Sequence, residues 1–275
     1  MSETAAIGFV GVGQMGEALI KGLVEANFCE PGAILASDVR GERLEAMGKR
    51  YPVLTTAHNS DLVERTNVVV LAVKPQDVRK VLSELTQRIT RQHLIISIAA
   101  GVSLSTIENQ LDHGVRVIRV MPNTPCLIRK GCSAITAGHF ATQADVELAR
   151  SVFSAVGEVV NVEESLMDAV TGLSGNGPAY VFLFTEALIE AGVRMGIPRP
   201  TARTLTLHTI RGAAELLMVT GEHPAILKEQ VTSPGGTALA ALAQLEKGAF
   251  RGLLLQAVEV GTERARYLGE LLKAG

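Results

Sequence analysis

The sequence predicts an N-terminal α/β domain with a doubly wound, mostly parallel sheet, followed by an all-α domain. Short β-branched runs alternate with helical segments through the first part of the chain, as in a parallel sheet covered on both faces. From about residue 163, helical stretches broken at Gly and Pro replace the strand-like runs. We therefore place the two domains at residues 1–162 and 163–275.

The elements follow from the same patterns. Helical segments near 14–26, 40–49, 77–88 and 104–111 lie between the early strands, and Ser105 with Glu108 is a candidate capping box for the last of these helices. The predicted strands are "AAIGFV" (5–10), "AILAS" (33–37), "NVVVLAV" (67–73), "HLIISI" (93–98), "RVIRVM" (116–121), "SAITA" (133–137) and "EVVNV" (158–162). The predicted helices of the second part span about 163–171, 178–194, 199–219, 223–231, 236–247 and 249–272.

Composition argues against several classes of function. Lys plus Arg is 26, Asp plus Glu is 28, aromatic residues are 4% and Trp is absent, so neither nucleic acid nor an anionic membrane is an expected partner. No apolar run reaches membrane-spanning length, and the first residues lack the basic region of a secretory signal. Cys29, Cys126 and Cys132 lack metal-ligand spacing and suit a reducing cytoplasm. We expect a soluble cytoplasmic protein without a metal site.

The helical part carries Ala, Gly and Leu on nearly every face, for example in "HTIRGAAELLMV". A helix that is apolar all round needs burial on all sides. About 110 residues of such helices are too few to cover themselves. We therefore expect a tightly packed homodimer through this part, with a self-contained bundle as the alternative.

A glycine motif directly follows the first predicted strand and begins a helix. "FVGVGQMG" places Gly11, Gly13 and Gly16 in the G-x-G-x-x-G spacing of a Rossmann-like dinucleotide-binding domain. Gly11 allows the tight turn, Gly13 lets a pyrophosphate approach the backbone, and Gly16 allows close packing of helix on strand. The N–H groups at the start of the helix are available to the phosphates.

The end of the second strand gives conflicting signals about the cofactor. Asp38 lies where an acid binds the ribose hydroxyls of NAD, whereas Arg40 and Arg43 suit the 2′-phosphate of NADP. An Asp facing that phosphate would repel it, unless the side chain turned away to cap the next helix. The balance favours NADP and leaves NAD open.

Loops at the ends of later strands and before two helices suggest further contacts. Three loops end strands at the edge where open α/β sheets bind ligands: "LAVKPQ", "SIAAGVS" and "VMPNTPC". We therefore expect these loops to form the floor of the nicotinamide site. "TGLSGNGPAY" and "VTSPGGTALAAL" each combine Gly and Pro just before a helix. In the second, hydroxyls and bare glycines at a helix N-terminus suit a carboxylate, although an ordinary cap with a turn is the alternative. His208 and His223 lie apart in the sequence and are interpreted as ordinary histidines.

Together these motifs resemble the pyrroline-5-carboxylate reductases, from about residue 6 to about residue 270. The pairing of "AVTGLSGNGPAY" with "TSPGG" is the most specific part of the resemblance. It implies reduction of L-1-pyrroline-5-carboxylate to L-proline by NAD(P)H, the last step of proline biosynthesis. It also implies an N-terminal Rossmann domain and a C-terminal helical dimerisation domain, often assembled further into decamers.

The resemblance also implies site residues. The family commonly has Thr at the place of Ala238, so a hydroxyl is missing there, and Thr237 or a water is expected to replace it. The N–H groups of Gly235 and Gly236 are expected to point at the substrate carboxylate. The implied cofactor contacts are Gly11, Val12, Gly13, Gln14, Met15, Gly16, Asp38, Arg40, Asn59, Ala72, Val73, Lys74, Pro75, Ala99, Ala100 and Gly101. The implied substrate contacts are Glu164, Ser233, Gly235, Gly236, Thr237 and Ala238, with Ser233 and Thr237 as candidate catalytic residues.

Two other functions compete with this one. A β-hydroxyacid dehydrogenase needs a general base for the alcohol, normally a Lys on the first long helix of its second domain, and residues 178–193 contain no Lys. A non-catalytic NADP-binding regulator would keep the glycine motif but would not need a carboxylate loop. A cyclic imine, in contrast, is electrophilic once protonated and suits a site poor in acids and bases.

Overall fold

The computed structural model describes residues 7–30 and 32–274. Within them, eight strands form one sheet in the order β3-β2-β1-β4-β5-β6-β7-β8. All neighbouring strands are parallel except β6 and β7, which are antiparallel. The strands are β1 (Ile7–Val10), β2 (Ile34–Ser37), β3 (Leu54–Thr56), β4 (Val68–Leu71), β5 (Leu94–Ser97), β6 (Arg116–Met121), β7 (Gly131–Ala137) and β8 (Gly157–Asn161). The prediction of a doubly wound, mostly parallel sheet is confirmed.

The seven predicted strands are present, and one further strand was missed. β3 has only three residues, lies at the edge of the sheet and is largely exposed, so it carries no apolar pattern. Residues 5 and 6 of the predicted strand 5–10 lie outside the described residues.

Six helices cover the sheet. α3 and α6 were not predicted, although Thr142 and Asp145 form a capping box at the start of α6. The helices are α1 (Gln14–Glu25), α2 (Gly41–Arg50), α3 (Asn59–Arg65), α4 (Val78–Leu85), α5 (Leu104–Glu108) and α6 (Gln143–Ser154).

The sheet separates two apolar cores. Along β4, Val68 and Val70 face one core, whereas Val69 and Leu71 face the other. This alternation follows from the two-residue period of a strand, and it explains why the buried strands read as continuous apolar runs. The first core also receives residues of α1 and α6, and the second receives residues of α3, α4 and α5.

The predicted capping box of α5 is wrong. Ser103 is the N-cap residue, and its Oγ accepts a hydrogen bond from the Thr106 N–H at 3.2 Å. Ser105 lies inside the helix, and Glu108 instead accepts from the His139 N–H at 2.7 Å. The tertiary contact with His139 takes Glu108 away from its local partner.

The remaining helices match the predicted spans closely. The segment predicted as one helix at 163–171 is divided into a 3₁₀ turn (Glu164–Leu166), α7 (Met167–Val170) and a π-helical turn (Thr171–Gly175). The helices that follow are α8 (Gly177–Arg194), α9 (Arg199–Thr220), α10 (Pro224–Gln230), α11 (Thr237–Lys247) and α12 (Phe250–Ala274). None of the helices in the described part of the chain combines the length and the apolar character that crossing a bilayer needs.

The chain divides into two compact units. A sheet unit comprises the described residues up to Asn176 and those from Glu259 onwards, and a helical unit comprises Gly177–Val258. Residues 163–176 therefore group with the sheet, because Arg119 and Asn123 near the end of β6 contact them. The helical unit alone leaves large apolar side chains exposed, including Leu183 (69%) and Val219 (85%).

Substitution by Ala should change the free energy of unfolding in opposite directions at two helical glycines. A Cβ at Gly22 in α1 would overlap the stiff side chain of Val156, so Gly22→Ala should lower the free energy of unfolding by about 1–3 kcal/mol. Gly48 in α2 is exposed and has open space at that position, so Gly48→Ala should raise it by about 0.5–1 kcal/mol. Urea unfolding followed by circular dichroism measures both. Equal midpoints for the two variants would contradict the packing around Gly22.

Candidate active site

The predicted cofactor residues meet at one edge of the sheet. β2, β1, β4 and β5 are parallel neighbours, so their carboxyl ends lie along the same edge. Residues 11–16 follow β1, Asp38 and Arg40 follow β2, residues 72–75 follow β4, and residues 99–101 follow β5. The strand order reverses at β1, which is the position where open α/β sheets bind ligands.

The three glycines of the motif differ in how closely other atoms surround them. Gly11 has φ +94°, which disfavours other residues, and a Cβ there would lie 2.8 Å from the Ala72 carbonyl oxygen. A Cβ at Gly16 would overlap the Gly11 carbonyl oxygen. Around Gly13, by contrast, no atom lies within 4 Å of where a Cβ would be. Gly11 and Gly16 are thus required by the fold, and Gly13 faces open space.

The start of α1 offers N–H groups beside Gly13. The first hydrogen bond of the helix runs from the Glu17 N–H to the Gly13 carbonyl oxygen at 2.9 Å. The N–H groups of Gln14, Met15 and Gly16 therefore precede the intrahelical bonding pattern. Together with the helix dipole they suit an anionic group such as a pyrophosphate.

Asp38 fixes the glycine loop to the end of β2. Its Oδ2 accepts from the Val12 N–H at 3.0 Å, and its Oδ1 accepts from the Arg40 backbone N–H at 2.9 Å and Nε at 3.2 Å. Burial would raise the pKa of Asp38, but the hydrogen bonds from Arg40 and Val12 outweigh it and hold the pKa below its usual value. The alternative that Asp38 caps α2 is wrong, because Arg40 is the N-cap residue and α2 has no side-chain cap.

The two arginines predicted to recognise a 2′-phosphate both lie beside this loop. Arg40 pairs with Asp38 and keeps 57% of its side chain exposed. Arg43 donates from its guanidinium to the Val12 carbonyl oxygen at 2.5 Å. Arg43 therefore stabilises the loop, while Arg40 has most of its surface available.

Asn59 is held by a residue that the sequence reasoning missed. The buried Ser37 hydroxyl, at the end of β2, donates to the Asn59 Oδ1 at 2.8 Å. Asn59 is the first residue of α3, and its Nδ2 lies 3.5 Å from Glu84. A polar residue ending the apolar run "AILAS" was the available signal for Ser37.

The loops after β4 and β5 are packed closely. The Ala72 N–H donates to the Val10 carbonyl oxygen at 2.8 Å, and Lys74 is the exposed residue before the 3₁₀ turn Pro75–Asp77. Gly101 has φ +75°, and its carbonyl oxygen would lie 2.7 Å from a Cβ at Gly269 in α12. The last part of α12 therefore supports the loop that contains Ala99, Ala100 and Gly101.

The motif "LSGNGP" is anchored to the end of β6. The Asn123 Nδ2 donates to the Ser174 Oγ at 3.2 Å, and a Cβ at Gly175 would lie 2.6 Å from the Met121 Cε. Gly175 is thus explained by close packing within the sheet unit, whereas Gly177 has open space. π-helical turns such as Thr171–Gly175 often occur at functional sites.

Glu164 also lies in the sheet unit, close to the start of α5. Its Oε1 accepts from the Leu104 N–H at 2.5 Å and from the Arg119 guanidinium at 3.3 Å. Sequence reasoning missed Arg119, because a single Arg within a strand gives no signal of its partners.

The Ser233–Gly236 loop belongs to the helical unit and differs from the expectation in one respect. The Gly236 N–H donates to the Ser233 carbonyl oxygen at 3.0 Å and closes a turn, so it does not point at a ligand as predicted. Gly235 has φ +70°, which favours glycine, whereas a Cβ at Gly236 would displace the Ser233 hydroxyl and lie 3.1 Å from the Ser233 carbonyl oxygen.

The N-terminus of α11 and a cavity lie next to this turn. The first bond of α11 joins the Ala240 N–H to the Gly236 carbonyl oxygen, so the N–H groups of Thr237 and Ala238 precede the intrahelical pattern. Ser233 and Pro234 line a cavity of about 580 Å³ whose apolar wall comes from α11.

The cysteines do not present an activated nucleophile. All three thiols are free, and burial raises the pKa of Cys29, Cys126 and Cys132. Raised pKa values keep thiols protonated and unreactive. Across residues 7–30 and 32–274, His, Cys, Asp and Glu form no group of three or more that could hold a metal ion.

The open surroundings of Gly13 give a direct test of the cofactor site. Its φ of −62° and ψ of −175° suit any residue, so Gly13→Val should fold normally yet place a branched side chain where a pyrophosphate approaches. We expect the affinity for NADPH, measured by calorimetry, to fall at least about tenfold, or about 1.4 kcal/mol. Gly48→Val, at an open site on α2, is the control. Unchanged affinity in Gly13→Val would remove the glycine loop from the cofactor site.

Two family models match the chain. The model described as pyrroline-5-carboxylate reductase dimerisation matches residues 164–268, and the model described as NADP oxidoreductase, coenzyme F420-dependent, matches residues 6–101. The first match covers the whole helical unit, and the second covers the glycine loop and the edge of the sheet up to Gly101.

Relatives match over nearly the whole chain. The pyrroline-5-carboxylate reductase of Methanosarcina acetivorans is 44% identical over 268 residues, covering 98% of this chain and 99% of that protein. The Arabidopsis thaliana reductase is 38% identical, covering 98% and 97%.

Two solved structures have the same fold throughout. The pyrroline-5-carboxylate reductase of Coxiella burnetii has a TM-score of 0.90 at 37% identity, covering 97% of this chain and 99% of that chain. The pyrroline carboxylate reductase of Plasmodium falciparum with NADP bound has a TM-score of 0.88 at 31% identity, covering 96% and 98%. On its sequence, fold and domain matches alike, this chain belongs to the pyrroline-5-carboxylate reductase family.

Proposed function

We propose that this protein reduces L-1-pyrroline-5-carboxylate to L-proline with NAD(P)H, the last step of proline biosynthesis. The observation that carries the proposal is the 44% identity with a curated pyrroline-5-carboxylate reductase over 98% of the chain. The edge of the sheet agrees with it, because an open glycine loop and a helix N-terminus lie at the strand reversal.

The chemistry places modest demands on the protein. Bound NADPH would supply the hydride, and the carbon of a protonated cyclic imine accepts it. The chain therefore has to position both molecules and to stabilise charge rather than to supply a strong base. The Gly13 region and the start of α1 would hold the pyrophosphate, and residues 72–75 and 99–101 would line the nicotinamide.

The substrate carboxylate is assigned to the turn before α11. Ser233 offers a hydroxyl, the N–H groups of Gly235, Thr237 and Ala238 are available, and Gly236 fixes the turn. The Thr237 hydroxyl is the candidate for the role that the family's usual hydroxyl would have at Ala238. Thr237 is exposed and lies one residue away, at the first position of α11.

NADPH is proposed as the preferred cofactor because Asp38 is already engaged. Both Asp38 oxygens accept hydrogen bonds from Val12 or Arg40, and only 6% of its side chain is exposed. With so little of its side chain exposed, Asp38 is a poor partner for a ribose hydroxyl. The Arg40 guanidinium remains exposed and would attract a 2′-phosphate.

A homodimer through the helical unit is proposed as the assembled form, with a decamer as a possible higher assembly. The helical unit carries the match to the dimerisation model and exposes Phe182 (66%), Leu183 (69%) and Val219 (85%). Apolar faces of this extent favour burial against a second copy. Light scattering with size-exclusion chromatography determines the number of copies.

The oxidation of NADPH, followed by its absorbance, tests the proposed reaction. We expect oxidation that depends on pyrroline-5-carboxylate, and formation of proline in equal amount. Gly13→Val is the control for cofactor binding. Reduction of NADP⁺ with 3-hydroxyacids alone would identify a hydroxyacid dehydrogenase instead, and inactivity in both assays would indicate a non-catalytic cofactor-binding protein.

Arg40 should decide the preference between the two cofactors. Arg40→Ala removes a charge-assisted contact of about 1.5–3 kcal/mol, so the ratio of kcat/KM for NADPH to that for NADH should fall about tenfold or more. Arg50→Ala is a matched control, because Arg50 is also exposed on α2 and paired with a carboxylate, that of Glu17. An unchanged ratio in Arg40→Ala would show that Arg40 does not recognise the 2′-phosphate.

Ser233 should affect the substrate and not the cofactor. Ser233→Ala removes one hydroxyl contact of about 0.5–1.5 kcal/mol, so KM for the imine should rise about two- to tenfold while the Kd for NADPH stays constant. Thr220→Val is the control, since that hydroxyl bonds only to nearby backbone, donating to the Leu216 carbonyl oxygen and accepting from the Glu222 N–H. A weaker affinity for NADPH with an unchanged KM would assign the turn to the cofactor.

A further inference from the structure

A buried arginine lies near the end of β6, in contact with Glu164, one of the residues assigned to the substrate. Arg119 is 5% exposed, and its guanidinium lies 3.3 Å from the Glu164 Oε1 and 3.6 Å from the Asp168 Oδ1. A buried cation is costly unless carboxylates compensate it. One cation and two carboxylates leave this cluster with a formal charge of about −1.

The two oxygens of Glu164 have different environments. Oε1 accepts from the Leu104 N–H at 2.5 Å and from Arg119. Oε2 has no hydrogen-bond partner among the residues that the structure describes, and 35% of the Glu164 side chain is exposed. The side chain is thus held by one oxygen, and the other is left to accept a hydrogen bond from a ligand.

A second arginine on the same strand shows what a purely structural pair looks like. Arg116 donates to the Asp145 Oδ1 at 2.6 Å, while the Asp145 Oδ2 accepts from the Thr142 N–H at 2.8 Å and its hydroxyl at 2.6 Å. Both oxygens of Asp145 are used, and its side chain is only 4% exposed. Glu164 differs in that only one of its oxygens has a partner among the described residues, and 35% of its side chain is exposed.

The contacts of Glu164 also connect it with the cofactor loop. Leu104 is the first residue of α5, which begins shortly after Ala99, Ala100 and Gly101. On the other side, Arg119 shares a face of β6 with Met121, which lies close to Gly175, and Asn123 beyond the strand donates to Ser174. Glu164 is therefore fixed directly to the start of α5, which follows the 99–101 loop of the proposed nicotinamide site, and through Arg119 to β6.

We propose that Arg119 is a positioning residue for the reduction. It holds Glu164 by Oε1, so that Oε2 accepts the N–H of the protonated cyclic imine and the net negative cluster stabilises that cation. The proposal rests on the proposed function, because the cation it describes is the substrate of that reaction. It assigns Arg119 no contact with the substrate.

Steady-state kinetics with both ligands varied tests this role. The variants are Arg119→Met, Arg119→Lys, Glu164→Gln and the double variant Arg119→Met with Glu164→Gln, and Arg116→Met is the matched control on the same strand. We expect Arg119→Met to raise KM for the imine about tenfold, while the Kd for NADPH by calorimetry changes less than about threefold. Arg119→Lys, which keeps the charge, should recover part of that loss. Arg116→Met should lower the thermal midpoint and leave KM unchanged.

The double variant separates positioning from a general loss of stability. If Arg119 acts through Glu164, adding Arg119→Met to Glu164→Gln should change KM less than about twofold. The proposal would be overturned if the fold-change in KM of the double variant equalled the product of the two single fold-changes. It would also be overturned if Arg119→Met and Arg116→Met had the same KM for the imine. If Arg119→Met does not fold, Arg119→Lys and its combination with Glu164→Gln give the same comparison. If the wild-type protein does not oxidise NADPH with the imine, the proposed function and this proposal both fail. If the wild type is active and Arg119→Met has the same KM for the imine, only the role of Arg119 is overturned.

Discussion

At the end of β1, segments of backbone approach one another closely. The sheet edge formed by the carboxyl ends of β2, β1, β4 and β5, where the cofactor residues lie, depends on this constraint. The Gly11 carbonyl oxygen occupies the space that a side chain at Gly16 would need, and a Cβ at Gly11 would lie 2.8 Å from the Ala72 carbonyl oxygen. α1 can therefore start directly against the sheet, with its first N–H groups at the position where the strand order reverses. Any side chain at Gly11 or Gly16 would push the helix away from that position, because the atoms it meets belong to the backbone and cannot rotate aside.

Two carboxylates stabilise this edge in a similar way. Asp38 accepts from the Val12 N–H and pairs with Arg40, and Glu164 accepts from the Leu104 N–H and pairs with Arg119. In each case a charged acceptor fixes the backbone of a loop and an arginine offsets the negative charge. The two differ in their hydrogen bonds: both oxygens of Asp38 accept from the protein, whereas within residues 7–30 and 32–274 only Oε1 of Glu164 does so. The same pairing of a carboxylate with an arginine thus fixes a loop in both places.

The helical unit follows a different principle. Its helices bury few side chains within Gly177–Val258, among them Ala202 and Thr206, and they expose large apolar residues on several faces. Small residues allow close contact, as at Gly192, where a Cβ would lie 3.1 Å from the Ala202 Cβ. Such a unit gains most of its stability from apolar burial against another surface, which is why its sequence reads as apolar on nearly every face.

The sequence by itself determined the mostly parallel sheet with seven of its eight described strands, the long helices of the second part and the glycine motif. These features depend on local periodicity and on backbone conformations that only glycine adopts readily, so a single segment carries each of them. It did not determine the short edge strand β3, the cap at Ser103, the orientation of Asp38 or the turn bond of the Gly236 N–H. The link between Arg119 and Glu164 spans 45 positions, and that between Leu104 and Glu164 spans 60. Only the tertiary structure decides such contacts, because a side chain pairs with whichever group the packing of distant elements brings within hydrogen-bond distance.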